Sequence, residues 1–206
     1  MPTLTTQRAL ALGFMKSHGM SRLRELMETG VTAATVSRLE REGQIVRLAR
    51  GLYQLADATV DTNHSLAQAA KLIPRGVVCL TSALAFHGLT DQLPAKVWIA
   101  IGPKERRPTL REGPPLRFVR FSGAHLTTGV RRHRIDGVSV PIFGVAKTVA
   151  DLFRYRRTVG IEVALEGLRE TLRQKKATPA ELATQANAAG VWPTMEPYLM
   201  ALTSGG

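Results

Sequence analysis

Hydroxyl and guanidinium side chains clustered between positions 32 and 50 are the residues of this sequence best suited to bind a polyanion. At 100° per residue, a helix over this segment places Ser37, Arg38 and Arg41 on one face. That face fits the major groove of DNA, because arginine can donate paired hydrogen bonds to guanine or bind a phosphate. The alternative is an ordinary solvated helix and hairpin. The candidate DNA-contacting residues of this segment are Thr32, Thr35, Ser37, Arg38, Arg41, Arg47 and Arg50.

The helix that carries this face has sequence signals at both ends. Thr32 can cap its start, because a threonine hydroxyl can accept a hydrogen bond from an otherwise unpaired amide of the first turn. Gly43 is expected to end it near residue 42. Val36, Leu39 and Gly43 share the face opposite the arginines, so we expect them to pack inward and to leave the basic face outward.

A short β-ribbon is predicted directly after this helix. The apolar residues between positions 45 and 55 are interrupted by Arg47 and by Arg50-Gly51, and the glycine supplies the turn. Two further helices are predicted before it, the second of them capped by Ser21. Three helices followed by a basic hairpin have the layout of a winged helix-turn-helix, which we predict for residues 1–57.

The remainder of the sequence, residues 64–206, is predicted to form a second domain that mixes helices and strands. Asp136-Gly137 stands between two alternating stretches and is a strong signal for a two-residue hairpin. Thr178 is followed three residues later by Glu181, which is the spacing of a capping box. The expected fold class is therefore α+β, with antiparallel strands and C-terminal helices. Strands are predicted at 77–80, 96–101, 116–121, 131–135 and 138–143, and helices at 64–72, 81–87, 145–154, 159–174, from 179 and from 192.

The formal net charge of +12 favours a polyanionic partner. Residues 102–157 hold 13 Lys and Arg against 4 Asp and Glu, so most of the excess lies outside the predicted winged helix. Arg131, Arg132 and Arg134 form the densest cluster, and strand alternation sends Arg132 and Arg134 to one face. We expect these three to bind phosphate. A basic surface does not by itself distinguish DNA from RNA.

Enzyme motifs are not found in the sequence. Nucleotidyl transfer needs Gly-Ser followed by paired aspartates, whereas the chain has Ser122-Gly123 and no Asp-x-Asp. There is no phosphate loop, no nucleophile elbow and no His-Glu-x-x-His. We therefore expect no catalytic residue, no cofactor and no metal. The single Cys79, the lack of a hydrophobic leader and the lack of a run of about 20 apolar residues indicate a cytoplasmic protein that does not enter a membrane.

Three single residues invite a functional interpretation and have simpler ones. Asp151 is expected to form a structural ion pair with Arg154 or Arg120 rather than to act in catalysis. Lys147 is expected either to contact phosphate or to be solvated. His87 precedes a glycine at the end of an apolar helix, where it is expected to cap helix carbonyls.

Four phrases together resemble AbiE-type antitoxins, the AbiEi family. They lie at residues 30–43, 46–53, 81–90 and 148–156 and include Arg-Leu-Ala-Arg-Gly-Leu-Tyr and Thr-Ser-Ala-Leu-Ala-Phe-His-Gly. The resemblance spans roughly residues 5–175. It implies a transcriptional regulator of an abortive-infection (phage-defence) operon, in which an N-terminal winged helix binds repeats in the operon's own promoter.

The same resemblance implies a second partner. In this family the C-terminal domain is needed to counter a nucleotidyltransferase-like toxin encoded beside the antitoxin, functionally and not necessarily by direct contact, and its basic surface is expected to help engage DNA. We therefore predict a DNA-binding repressor and antitoxin of a type IV toxin-antitoxin system. The alternatives are a stand-alone regulator, a module that binds a toxin directly, and an RNA-binding protein.

Overall fold

The computed structural model describes residues 4–204, with side chains from residue 7 onward. The first three and the last two residues of the predicted domains lie outside this range. The chain forms two compact units. The first contains the chain up to Arg75 with Arg106–Pro114 and Arg132–Val140, and the second contains Gly76–Glu105, Pro115–Arg131 and the chain from Pro141 onward.

The first unit begins with three helices, as the sequence predicts, and a three-stranded antiparallel sheet in the order β1-β3-β2. The strand β1 was not predicted. Ser21, expected to cap the second helix, is instead fully buried in this strand opposite Tyr53, and Arg22 is the residue at the helix N-cap. The elements are α1 Leu4–His18, β1 Ser21–Arg22, α2 Leu23–Glu28, α3 Ala33–Arg41, β2 Ile45–Ala49, β3 Leu52–Leu55 and α4 His64–Leu72.

The core of the first unit lies between α1, α3 and the sheet. Val36 and Leu39 on α3 are buried in it with Leu26 and Ile45, so the inward face of α3 is the one predicted. Gly43, also expected to pack inward, is exposed. The helix has already ended, with Glu42 as its C-cap, and Gly43 has a φ of +67° that a residue with a side chain rarely adopts.

Two later segments complete the first unit, which is larger than the predicted 57-residue domain. Glu112 accepts two hydrogen bonds from Arg47, both 3.0 Å long. Asp136 accepts from the amide of Asp61 at 2.9 Å and lies 2.6 Å from Nδ1 of His64. Residues from positions 106–114 and 132–140 therefore supply partners for side chains near the start of the chain.

The second unit is built around a five-stranded sheet in the order β6-β5-β4-β8-β7, whose last two strands run on into the first unit. The pair β4–β5 is antiparallel, but β4–β8 and β5–β6 are parallel, so the expectation of antiparallel strands is only partly met. The remaining elements are β4 Val77–Val78, α5 Leu80–Phe86, β5 Val97–Ile101, β6 Leu116–Arg120, α6 Ala124–Thr127, β7 Val130–Ile135, β8 Val138–Phe143, α7 Val145–Arg154, α8 Arg156–Val159, α9 Ile161–Arg173, α10 Pro179–Ala188 and α11 Trp192–Thr203.

Local signals in this part of the sequence are met in detail. Asp136 and Gly137 both have positive φ, +47° and +76°, as a tight two-residue hairpin turn requires. Thr178 Oγ1 accepts from the amide of Glu181 at 3.2 Å, and Glu181 accepts from the amide of Thr178 at 2.7 Å, which is the predicted capping box. The four-residue helices α6 and α8 were missed, because so short a segment carries no readable period.

A buried ion pair lies inside the second unit. Lys147 Nζ donates to both carboxylate oxygens of Asp151, at 3.0 and 2.8 Å, one turn along α7. The side chains are only 6% and 1% exposed. Lys147 is therefore neither solvated nor placed to contact phosphate, and Asp151 pairs with it rather than with Arg154 or Arg120. Those two arginines donate to backbone carbonyl oxygens instead.

Candidate nucleic-acid interface

The N-terminus of α3 is fixed by a hydroxyl network. Thr32 Oγ1 accepts from the amide of Thr35 at 3.3 Å, which makes Thr32 the predicted N-cap. Gln7 Oε1 on α1 accepts from the Thr35 hydroxyl at 2.7 Å and from the Thr32 hydroxyl at 3.1 Å. Thr35 is only 4% exposed. Thr35, predicted to contact DNA, is thus a buried anchor of the helix, whereas Thr32 is exposed and also partnered.

The opposite face of α3 is exposed and polar. Ser37, Arg38 and Arg41 all point away from the core, with the exposed Ala33 and Ala34 beside them near the start of the helix. Arg41 Nε donates to the carbonyl of Ser37 at 3.4 Å. The Arg38 guanidinium forms no hydrogen bond or ion pair with the described residues, so its five N–H donors are free to bind a ligand.

The turn of the hairpin carries an exposed arginine. Arg50 lies in the turn between β2 and β3, as predicted. Arg47, on β2, is paired with Glu112, and the two side chains are 40% and 46% exposed. A solvent-exposed pair of this kind contributes about 0–1 kcal/mol. A phosphate could therefore replace Glu112 at little cost.

Arg132 and Arg134 are exposed at the part of β7 that belongs to the first unit. Arg134 donates to the carbonyl of Ser17 at 2.9 Å, at the end of α1, so part of its hydrogen-bonding capacity is used internally. The Arg132 guanidinium forms no hydrogen bond or ion pair with the described residues. Arg131 is also exposed and belongs to the second unit.

The helix before α3 is held by a charged cluster with α4. Lys71 Nζ lies 2.8 Å from both carboxylate oxygens of Glu25, and the Arg22 guanidinium donates to the Lys71 carbonyl. Burial raises the pKa of Glu25, but the hydrogen bonds from Lys71 and from the amide of Arg22 outweigh it and leave the pKa below its usual value. The two helices α2 and α4 are thereby locked together at neutral pH.

Three long-range contacts of this region were not predicted from the sequence. Gln7, Glu112 and Asp136 are isolated polar residues in their local segments, and their partners lie 28, 65 and 72 positions away. No periodicity or spacing connects positions so distant. A matched change at both positions of a pair would be the signal that reveals such contacts.

Metal-binding clusters and membrane-spanning helices are not found among the described residues. Between residues 4 and 204 no group of three or more histidine, cysteine, aspartate or glutamate side chains could hold a metal ion. In the same range no helix has both the length and the apolar character needed to span a bilayer.

The fold is similar to that of the RV2827C protein from Mycobacterium tuberculosis, whose crystal structure matches with a TM-score of 0.61. The match covers 98% of this chain and 78% of that one, at 15% sequence identity. Such low identity establishes likeness of fold alone. No curated protein matches the sequence.

The N-terminal segment has a more specific relative. Residues 14–56 match the family model described as "Transcriptional regulator, AbiEi antitoxin". The matched segment contains α2, α3 and both strands of the hairpin, and with them Ser37, Arg38, Arg41, Arg47 and Arg50. The similarity to the AbiEi antitoxin family of transcriptional regulators therefore holds for residues 14–56, about a fifth of the chain.

Proposed function

We propose that this chain is a sequence-specific DNA-binding repressor that acts as the antitoxin of a type IV toxin-antitoxin operon and represses its own promoter. In this proposal the first three helices and the hairpin act as a winged helix-turn-helix, and α3 enters the major groove. The observation that carries the proposal is the exposed Arg38 guanidinium at the centre of the outward face of α3, which has no partner among the described residues and lies within the segment that matches the regulator family.

The surrounding residues support this docking. Ala33 and Ala34 are small, so the start of α3 can approach base edges closely, and Ser37 can donate or accept a hydrogen bond there. Thr32 and Thr35 are partnered with Gln7, so they fix the helix and are not proposed to read bases. The proposed base-reading residues are therefore Ser37, Arg38 and Arg41.

Phosphate contacts are proposed for the remaining arginines. Arg50 in the hairpin turn would bind the backbone or minor groove beside the reading helix. Arg47 would exchange Glu112 for a phosphate. Arg131 and Arg132 would bind phosphate through exposed guanidinium groups, with a smaller share from Arg134, which already donates to Ser17.

The antitoxin part of the proposal is supported by the family of residues 14–56. The partner would be a nucleotidyltransferase-like toxin encoded in the same operon. The test is growth of cells that express the neighbouring gene product, with and without this chain. Rescue of growth without copurification would indicate a functional antagonist, whereas copurification would indicate direct binding, and failure to rescue would contradict the antitoxin assignment.

The DNA-binding part is tested by a gel-shift titration of the full chain on its own upstream region and on a scrambled duplex, at two salt concentrations. Tight binding to the native fragment alone is expected. Equal and steeply salt-dependent binding to both fragments would show that the chain is basic but does not read sequence. Preference for a structured RNA competitor over duplex DNA would instead support the RNA-binding alternative.

Two matched variants distinguish sequence-specific contacts with the bases from non-specific contacts with the phosphates. Arg38→Gln is expected to weaken binding to the native fragment by about 1–3 kcal/mol, roughly 5- to 150-fold, and to reduce the preference over the scrambled duplex. Arg132→Gln is expected to weaken binding to both fragments alike and to lower the salt slope by about one. If both variants behave identically, α3 is not the reading helix.

A further inference from the structure

A cavity of about 320 Å³ lies inside the second unit and has no part in the proposed DNA contacts. Its volume falls at the lower end of the range of about 300–1,000 Å³ that is typical of small-molecule sites. It is bounded by α5, the segment before β5, β5 and β6, and by α8 and α9. Leu93, one of its lining residues, is 90% exposed, so the cavity is open to solvent.

The walls of the cavity combine apolar and aromatic surface. Leu84 comes from α5, Val159 and Val163 from α8 and α9, and Trp98 from β5. The Trp98 ring is buried, and the Arg117 guanidinium lies over it with Cζ 4.2 Å from the ring centroid. These side chains would contact a flat or branched apolar group.

The charged groups of the cavity all have one sign. Arg117 and Lys96 line it, and none of the twelve lining residues is acidic. Within residues 4–204 neither cation forms an ion pair. Arg117 is exposed and its guanidinium lies over the Trp98 ring, an arrangement that leaves its N–H groups free to donate. The wall also contains Thr81, whose hydroxyl oxygen is buried without a hydrogen-bond partner.

We propose that this cavity binds a small organic anion, a carboxylate or sulfonate carried on an apolar body. The anionic group would accept hydrogen bonds from Arg117 and lie near Lys96, and the apolar body would pack against Trp98, Leu84 and Val163. An uncharged molecule of the same shape would gain the apolar contacts alone. The proposal is independent of DNA binding.

The test is a fluorescence titration of the full chain with 8-anilinonaphthalene-1-sulfonate, beside its uncharged analogue N-phenyl-1-naphthylamine. The sulfonate is expected to bind more tightly. Arg117→Gln should weaken sulfonate binding about tenfold, the loss of a charge-assisted contact, and change binding of the uncharged analogue less than about twofold. Val163→Phe, which fills the cavity, should weaken both probes. Arg169→Gln removes an exposed arginine that does not line the cavity and should change neither.

Near-ultraviolet circular dichroism of each variant confirms that it is folded. Arg117→Gln could unfold because its contact with Trp98 is lost. In that case Lys96→Gln is the variant that tests the proposal, because no contact of Lys96 with an aromatic ring is described. Lys96→Gln should weaken sulfonate binding several-fold. Sulfonate binding that is unchanged in a folded Arg117→Gln or in Lys96→Gln would overturn the proposal. Equal losses in the Arg169→Gln control would overturn it too, because binding would then follow net charge rather than the cavity.

Discussion

Removing the carboxylate of Asp151 should destabilise the second unit strongly. Lys147 is buried beside Asp151 and lies with Nζ 4.5 Å from the centre of the Phe143 ring. In Asp151→Leu the ammonium group would remain in this apolar environment without a counter-charge. Breaking a buried pair in this way costs about 3–5 kcal/mol, which for a chain of this length lowers the melting temperature by about 10 °C.

The double variant Lys147→Met/Asp151→Leu is the matched comparison. It removes both charges and fills a similar volume with apolar groups, so its stability should return to within about 1 kcal/mol of the parent chain. Urea unfolding followed by tryptophan fluorescence measures all three proteins. Trp98 and Trp192 are the chain's two tryptophans and both lie in the second unit, so the signal reports on the unit that contains the pair.

An exposed pair provides the control. Arg173 and Glu170 lie three positions apart on α9 with N–O distances down to 2.6 Å, but their charges are solvated. Glu170→Gln should therefore leave the unfolding midpoint unchanged. If Asp151→Leu costs no more than this control, or if the double variant is as unstable as the single one, the reasoning from burial is refuted.

Three further predictions concern backbone geometry and helix capping. Gly19→Ala should lower the free energy of unfolding by about 3 kcal/mol, because the new Cβ would lie 1.7 Å from the Asp136 carbonyl oxygen. Gly13→Ala, whose Cβ would have nothing within 4 Å, should stabilise α1 by about 0.5–1 kcal/mol. Thermal unfolding followed by circular dichroism measures both changes. Thr178→Ala removes the N-cap of α10 and should lower the free energy of unfolding, measured with urea, by about 1 kcal/mol. A loss near zero would show that Glu181 alone stabilises that helix terminus.

Features encoded within a few residues were predicted well from the sequence. The cap at Thr32, the capping box at Thr178 and the hairpin at Asp136-Gly137 each depend on side chains and backbone angles of neighbouring positions. The inward face of α3 follows from helical periodicity alone. The exposure of Ser37, Arg38 and Arg41 was therefore predictable, although their contact with DNA stays a prediction.

Features that depend on distant positions were not predictable. The parallel neighbour of β4 is β8, and nothing in either strand specifies the other. Arg47 was predicted to contact DNA, and its pairing with Glu112, which lies 65 positions away, was not foreseen. The pair formed by Lys147 and Asp151 is a different kind of miss, because its spacing of four residues on a helix was visible in the sequence. The expected pairing of Asp151 with Arg154 or Arg120 does not form, because both arginines donate to backbone carbonyl oxygens.

The first unit is assembled from three separate stretches of the chain, and this has a consequence for its synthesis. The N-terminal helices leave the ribosome long before Asp136 has been synthesised. Asp136 is the residue that contacts Asp61 and His64 in the folded chain. Domains whose residues are contiguous can fold as they emerge. Here the first unit gains its last contacts only after residue 140 has left the ribosome, by which time most strands of the second unit have also been synthesised. Nascent chains stalled before and after residue 140 should therefore differ in protease resistance of the N-terminal helices.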